Sequence, residues 1–235
     1  MRVQTEEETN MVAFNVANIK VPKAPSLPIP PSQYSVDHFY QFANVLRLYF
    51  NQLDSINAGL LSSTGGAYLS FPHIGASDST DQYATADNTP TIVKWNTLDS
   101  GLGFILNANN SATALQTGVY KIDFSLQYAN TANAPHDVVV WLRVNGVDVP
   151  NSASKITMNP RKSAGVPSYV LMYSTVMFTL TTNDVIELYW ATDLAYNPVG
   201  PVDGVYMEHL PVQTVPYAHP AVPSAIGTIT FVSSN

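Results

Sequence analysis

Five histidines, His38, His73, His136, His209 and His219, are the side chains best suited to move protons or hold a metal near neutral pH, and they are scattered along the chain. No two have the His-x-x-x-His spacing that sets a pair of imidazoles on one helix face. His136-Asp137 places a base beside a carboxylate, but neighbours on a strand point to opposite faces. Asp184 with Glu187, or Asp203 with Glu208, would serve as a glycosidase acid and base only if folding set them about 5–9 Å apart, and nothing in their spacing says so. Asp78, Asp81 and Asp87 lack the alternation of a calcium loop and read as solvated loop charges. The chain has no cysteine, which removes disulfides and thiolate metal sites. It also lacks a Gly-x-Ser-x-Gly elbow, a phosphate loop and a dinucleotide fingerprint. Thirteen tyrosines could decorate a glycan-binding face, yet most fall in alternating stretches where core or subunit packing accounts for them. The expectation is a protein with no catalytic residues, no cofactor and no metal.

Charge narrows the partners. The formal net charge is −7, from 10 basic and 17 acidic residues in 235. A weakly acidic chain without a basic cluster argues against nucleic acid as the main partner. No run approaches the ~20 apolar residues of a membrane helix. Glu6, Glu7 and Glu8 stand where a secretion leader would be basic, and no apolar stretch follows, so no cleaved leader is expected.

The elements that would position any site are strands. From Gly118 to Tyr128 the even positions Tyr120, Ile122, Phe124, Leu126 and Tyr128 are apolar, and Lys121, Asp123, Ser125 and Gln127 between them are polar. Strict period two marks a half-buried strand. A second strand over Asp137–Val144 has Val138, Val140, Leu142 and Val144 on one side and Val139 and Trp141 on the other, which predicts cover on both faces. It ends at Asn145-Gly146, a pair suited to a tight hairpin turn because both residues tolerate positive φ. Further strands are expected at Thr91–Asn96, Gly103–Asn107, Ala112–Gln116, Ser154–Met158, Ser168–Leu180, Val185–Thr192, Gly204–Leu210 and Ala225–Val232. The four prolines of Pro211–Pro223 exclude a central strand there. Many strands separated by turn signals, with no helix between them, predict a mainly β antiparallel sandwich.

The N-terminal quarter differs. Five prolines in residues 21–31 predict an extended polyproline arm within residues 1–33. Two readings stay open: a stiff linker, or an arm lying along another subunit with Leu27 and Ile29 as anchors. Residues 34–60 predict an amphipathic helix, capped by Ser32 or Ser35 and ended by Gly59. Phe39, Phe42, Leu46, Tyr49, Leu53, Ile56 and Leu60 step by three and four, a heptad seam over three repeats. Packing on its own β domain would explain that seam, but a Gly-rich joint at 61–66 detaches the helix and favours an oligomer or attachment role. The β domain is expected over 67–235.

The β region resembles the jelly-roll domain shared by C1q and tumour-necrosis-factor relatives. Gly118-Val-Tyr-Lys-Ile-Asp-Phe124 is similar to the family's Gly-x-Tyr-x-Phe-x-Phe strand. Val140-Trp-Leu-Arg-Val-Asn-Gly146 is similar to its next core strand and turn, and Thr181–Leu188 to a later turn and strand. Within that likeness, Phe124–Tyr128, His136–Arg143, Val149–Ser152 and the leader Leu27–Asp54 most resemble virion proteins of tailed phages, marine cyanophage types above all. The resemblance covers about residues 25–232. It implies a non-enzymatic homotrimer held in a virion assembled in the host cytoplasm. The partners it implies are copies of itself and other virion proteins such as major capsid or tail proteins, attached through Leu27, Ile29, Phe39, Phe42, Leu46, Tyr49, Leu53 and Ile56. Head decoration or cement is the leading role. A tail-fibre or spike component binding a host surface glycan is the alternative. A free C1q-like binding module, which would need export, and an enzyme of carbohydrate metabolism are more distant.

Overall fold

In the computed structural model, residues 22–61, 71–200, 203–215 and 217–234 are described. They divide into two units, one before and one after residue 70, each taken by itself.

In the first unit, residues 22–31 run extended with no regular structure. Proline fixes φ near −65° and removes backbone donors, so neither helix nor ladder forms there. The helix α1, Val36–Leu61, follows. Ser35 is its cap: its Oγ accepts the His38 N–H at 3.3 Å and its carbonyl accepts the Phe39 N–H at 3.1 Å. The helix runs through Gly59 instead of ending there, since one glycine in a helix costs only about 1 kcal/mol. The joint expected at 61–66 lies, from Ser62 on, outside the described residues.

The second unit is all strand: β1 His73–Asp78, β2 Gln82–Tyr83, β3 Thr91–Ile92, β4 Thr97–Leu102, β5 Phe104–Leu106, β6 Ala112–Ala114 and β7 Gly118–Asn130, then β8 His136–Val144, β9 Val147–Asp148, β10 Ser154–Met158, β11 Ser168–Leu180, β12 Val185–Thr192, β13 Val205–Met207 and β14 Ala225–Ser233. They form two antiparallel sheets. In the first, β11 pairs along the whole of β7, and β14, β1 and β4 follow on the other side. Past the end of β14, the last residues of β7 pair with β13, which carries β2. The second sheet runs β10-β8-β12-β6-β5, with β3 also on β12. First and last strands side by side, and a chain that alternates between sheets, make this a jelly-roll sandwich.

The alternation read in β7 faces the core: Tyr120, Ile122, Phe124, Leu126 and Tyr128 are all buried. Val138, Val140 and Leu142 of β8 and Ile186, Leu188 and Trp190 of β12 meet them from the other sheet. Gly227 on β14 leaves room for Trp95, whose ring edge would stand 2.7 Å from an added Cβ. Among the described residues, the buried Tyr128 hydroxyl and Trp190 indole N–H find no hydrogen-bond partner.

Several expected strands are shorter than their sequence pattern. Residues 93–96 leave the ladder because the chain there crosses between sheets. Val93 N–H bonds Leu188 of β12, whereas Asn96 N–H bonds Ser77 of β1. Side-chain oxygens hold the step between: Lys94 N–H donates to Gln82 and Trp95 N–H to Asn110. The strand expected from Gly204 keeps only Val205–Met207, with one isolated bridge at Leu210. β4 carries no alternation, because both faces of that edge strand are exposed. The second face of β8 is half-exposed instead of covered, since β8 belongs to an outer sheet with a core on one side only. Residues 210–215 and 217–222 pair with each other through Leu210↔Val222 and Gln213↔His219, and β14 then enters between β7 and β1.

Candidate functional site

Asn145 and Gly146 take φ of 51° and 78°, so both residues between β8 and β9 are left-handed. The Asn145 side chain does more than turn. Its Nδ2 donates to Asp184 at 2.7 Å and its Oδ1 accepts the Val185 N–H at 2.9 Å. Asp184 also accepts the Thr181 N–H and hydroxyl at 2.7 and 2.9 Å. Partial burial pushes the Asp184 carboxyl up, but these hydrogen bonds outweigh it and hold it below the usual range. Two turns are thereby braced at one end of the sandwich.

The candidate attachment residues lie in the first unit. Leu27 and Ile29 are exposed on the arm. On α1, Phe42, Leu46, Tyr49, Leu53 and Ile56 are half-buried, whereas Phe39 is 59% exposed, as are Tyr40 and Phe50 to similar degree. The helix therefore presents aromatic side chains on more than one side.

In the second unit, β11 carries several exposed apolar side chains along one face. Residues facing away from the core are Tyr169, Leu171, Tyr173 and Met177, and the last three are 59–62% exposed. Ile226 of β14 is opposite Ser125 of β7, which is opposite Tyr173, so it joins the same face. A polar patch sits within it: Lys121 meets Asp123 at 2.9 Å, and the Tyr173 hydroxyl donates to Asp123 at 3.0 Å. On the outer face of the other sheet, Trp141 stacks on Tyr189 and the Arg143 guanidinium lies 4.1 Å from that ring. Trp141 Nε1 and Arg143 Nε both donate to Asp148 Oδ1, which holds the Asp148 carboxyl below its usual range.

A tyrosine cluster closes the far end of the first sheet. Tyr83 and Tyr206 are cross-strand partners with rings 5.6 Å apart, and Tyr196 from the β12–β13 loop lies 5.7 and 4.9 Å from them. Tyr83 donates to Asp81 and Tyr206 to Glu208. Burial, then the neighbouring Asp81, pushes the Tyr83 phenol up to about 12, and burial with Glu208 raises Tyr206 further. Gly204 makes the cluster possible. An added Cβ there would stand 2.6 Å from the backbone of Ala195 and Tyr196. Spacing carried a usable signal: Asp81-x-Tyr83 and Tyr206-x-Glu208 put a ring and a carboxylate on one side of extended chain.

The residues weighed for catalysis are dispersed. His136 faces Asp193 at 3.1 Å, and Asp137 is taken by Lys155 and Thr157. Asp203 pairs with Arg161, and Glu208 accepts from Tyr206. Asp78 is buried and binds Thr80, and Asp87 accepts the Ala195 N–H. Among the described residues no three His, Asp or Glu are grouped to hold a metal ion.

No family description matches this chain, and no curated protein matches it in sequence. Among solved structures it is similar to the Eiger TNF of S. frugiperda, at 12% identity and a TM-score of 0.43, over 70% of this chain and 95% of that one. It is also similar to the globular domain of zebrafish complement 1qA, at 12% identity and a TM-score of 0.40, over 71% of this chain and all of the other.

Proposed function

We propose that this chain is a non-enzymatic structural protein whose jelly roll associates with copies of itself and whose N-terminal arm and helix fasten it to a larger particle. The observation that carries the reading is the outward face of β11. Leu171, Tyr173 and Met177 stand there with Ile226 on one outward face. Burying one such apolar side chain is worth roughly 1.5–3 kcal/mol, so three or four repeated around an axis hold subunits together. The resemblance of the sequence supports three copies per assembly and a tailed-phage virion as the setting, with head decoration as the role. The exposed Leu27, Ile29 and Phe39 support attachment through residues 1–60.

Sedimentation of the full chain at micromolar concentration tests the association. A trimer is expected, and Leu171→Glu with Met177→Glu should leave folded monomer. A monomeric parent chain refutes self-association. Counting copies by quantitative gel of purified virions tests the setting: hundreds per particle are expected for a head decoration, and a handful would assign the chain to the tail.

A further inference from the structure

The described surface of the second unit has a groove of about 560 Å³ beside the tyrosine cluster. That size lies within the ~300–1,000 Å³ of small-ligand sites. One wall is Tyr83–Asp87 and the other is Ala195–Pro198. The walls are tied together: Asn88 N–H donates to Thr192 at 2.7 Å, and Ala195 N–H donates to Asp87 Oδ1 at 2.7 Å. Beneath them the buried Tyr206 backs both Tyr83 and Tyr196. The Tyr83 hydroxyl is committed to Asp81, so this ring keeps a fixed pose.

We propose that this groove binds a neutral carbohydrate. A pyranose has a face of C–H groups and a rim of hydroxyls. The C–H face suits the electron-rich face of a tyrosine ring. The rim needs donors and acceptors close together, and the walls supply both. Asp87 Oδ2 and Asn197 Nδ2 have no partner among the described residues, and Thr85 is exposed. No Lys, Arg or His lines the groove, while Asp87 lines it and Asp81 borders it. Anionic ligands, acidic sugars included, are therefore repelled. A simple cation would use the rings and the carboxylate but would meet the donors Asn197 and Thr85 with nothing to offer them. The groove borders β2, at the other edge of the sheet from β11 although on the same face, and none of its lining residues is used in the association reading.

Saturation-transfer NMR on the full chain tests it, with the methyl glycosides of glucose, galactose, mannose and N-acetylglucosamine as probes. At least one is expected to bind through its ring C–H protons. Tyr196→Ala should weaken that binding by about tenfold, while Tyr196→Phe, which keeps the ring, should stay within about twofold. Ala86 is exposed and its side chain makes no hydrogen bond, so Ala86→Arg obstructs the groove without disturbing the core, and binding should disappear. Sedimentation should be the same for all variants. The proposal is overturned if none of the four glycosides binds, if binding survives Ala86→Arg, or if choline or N-acetylneuraminic acid binds in their place.

Discussion

Two glycines show how single residues set the limits of this fold. Gly146 has open space around an added Cβ, yet its φ of 78° resists a side chain. Gly146→Ala should therefore cost about 1 kcal/mol through backbone strain alone, read as a lowered denaturant midpoint with an unchanged slope. Gly227 is the reverse case: its backbone is ordinary and Trp95 occupies the space. Gly227→Ala should cost more, roughly 1–3 kcal/mol, as an overpacked core does. A parent-like melt for Gly227→Ala would show that Trp95 is not seated there. Asp184 adds a pH dependence with a definite sign. Its carboxyl titrates lower in the folded chain than in the unfolded one. Its contribution is therefore complete above about pH 4, the ordinary carboxylate value, and is lost as pH falls through the depressed value. Asp184→Asn should lower stability at neutral pH and flatten the acid limb of the stability curve. An acid limb identical to the parent's would remove Asp184 from that account.

At the scale of elements, legibility followed burial of large apolar side chains; β1, whose buried residues are Ile74, Ala76 and Asp78, went unread. β7, β8, β10, β11 and β12 were readable to within a residue or so because each has one face on the core, and burial enforces period two along the chain. β4 was invisible because an edge strand exposed on both faces is under no such pressure. Residues 93–96 looked like strand because Val93 and Trp95 alternate properly, but backbone donors there bond to Gln82 and Asn110 across the chain, which no local pattern encodes. The tyrosine cluster was half legible. Two of its rings sit two residues from a carboxylate, while Tyr196 arrives by a loop whose course depends on contact with Gly204. The helix yields a prediction of its own. Phe42→Asp with Leu46→Asp changes residues of the first unit only, and the variant is expected to sediment like the parent yet fail to join particles. Normal incorporation would move attachment elsewhere.

For the molecule as a whole, the position of β14 matters most. The last strand pairs with β7 on one side and β1 on the other, in the middle of its sheet. Its partner β1 begins at His73, while β14 begins at Ala225. During synthesis at ~5–20 residues per second, β1 and β7 emerge well before the strand that joins them, and the first of these waits roughly 8–30 s. For the roughly 5–20 s between its own synthesis and that of β14, β7 offers an unpaired edge of apolar, period-two chain to any neighbouring nascent copy. Yield of soluble protein should thus depend on how densely ribosomes load the message: slow initiation favours closure within one chain, and crowded polysomes favour entanglement between chains.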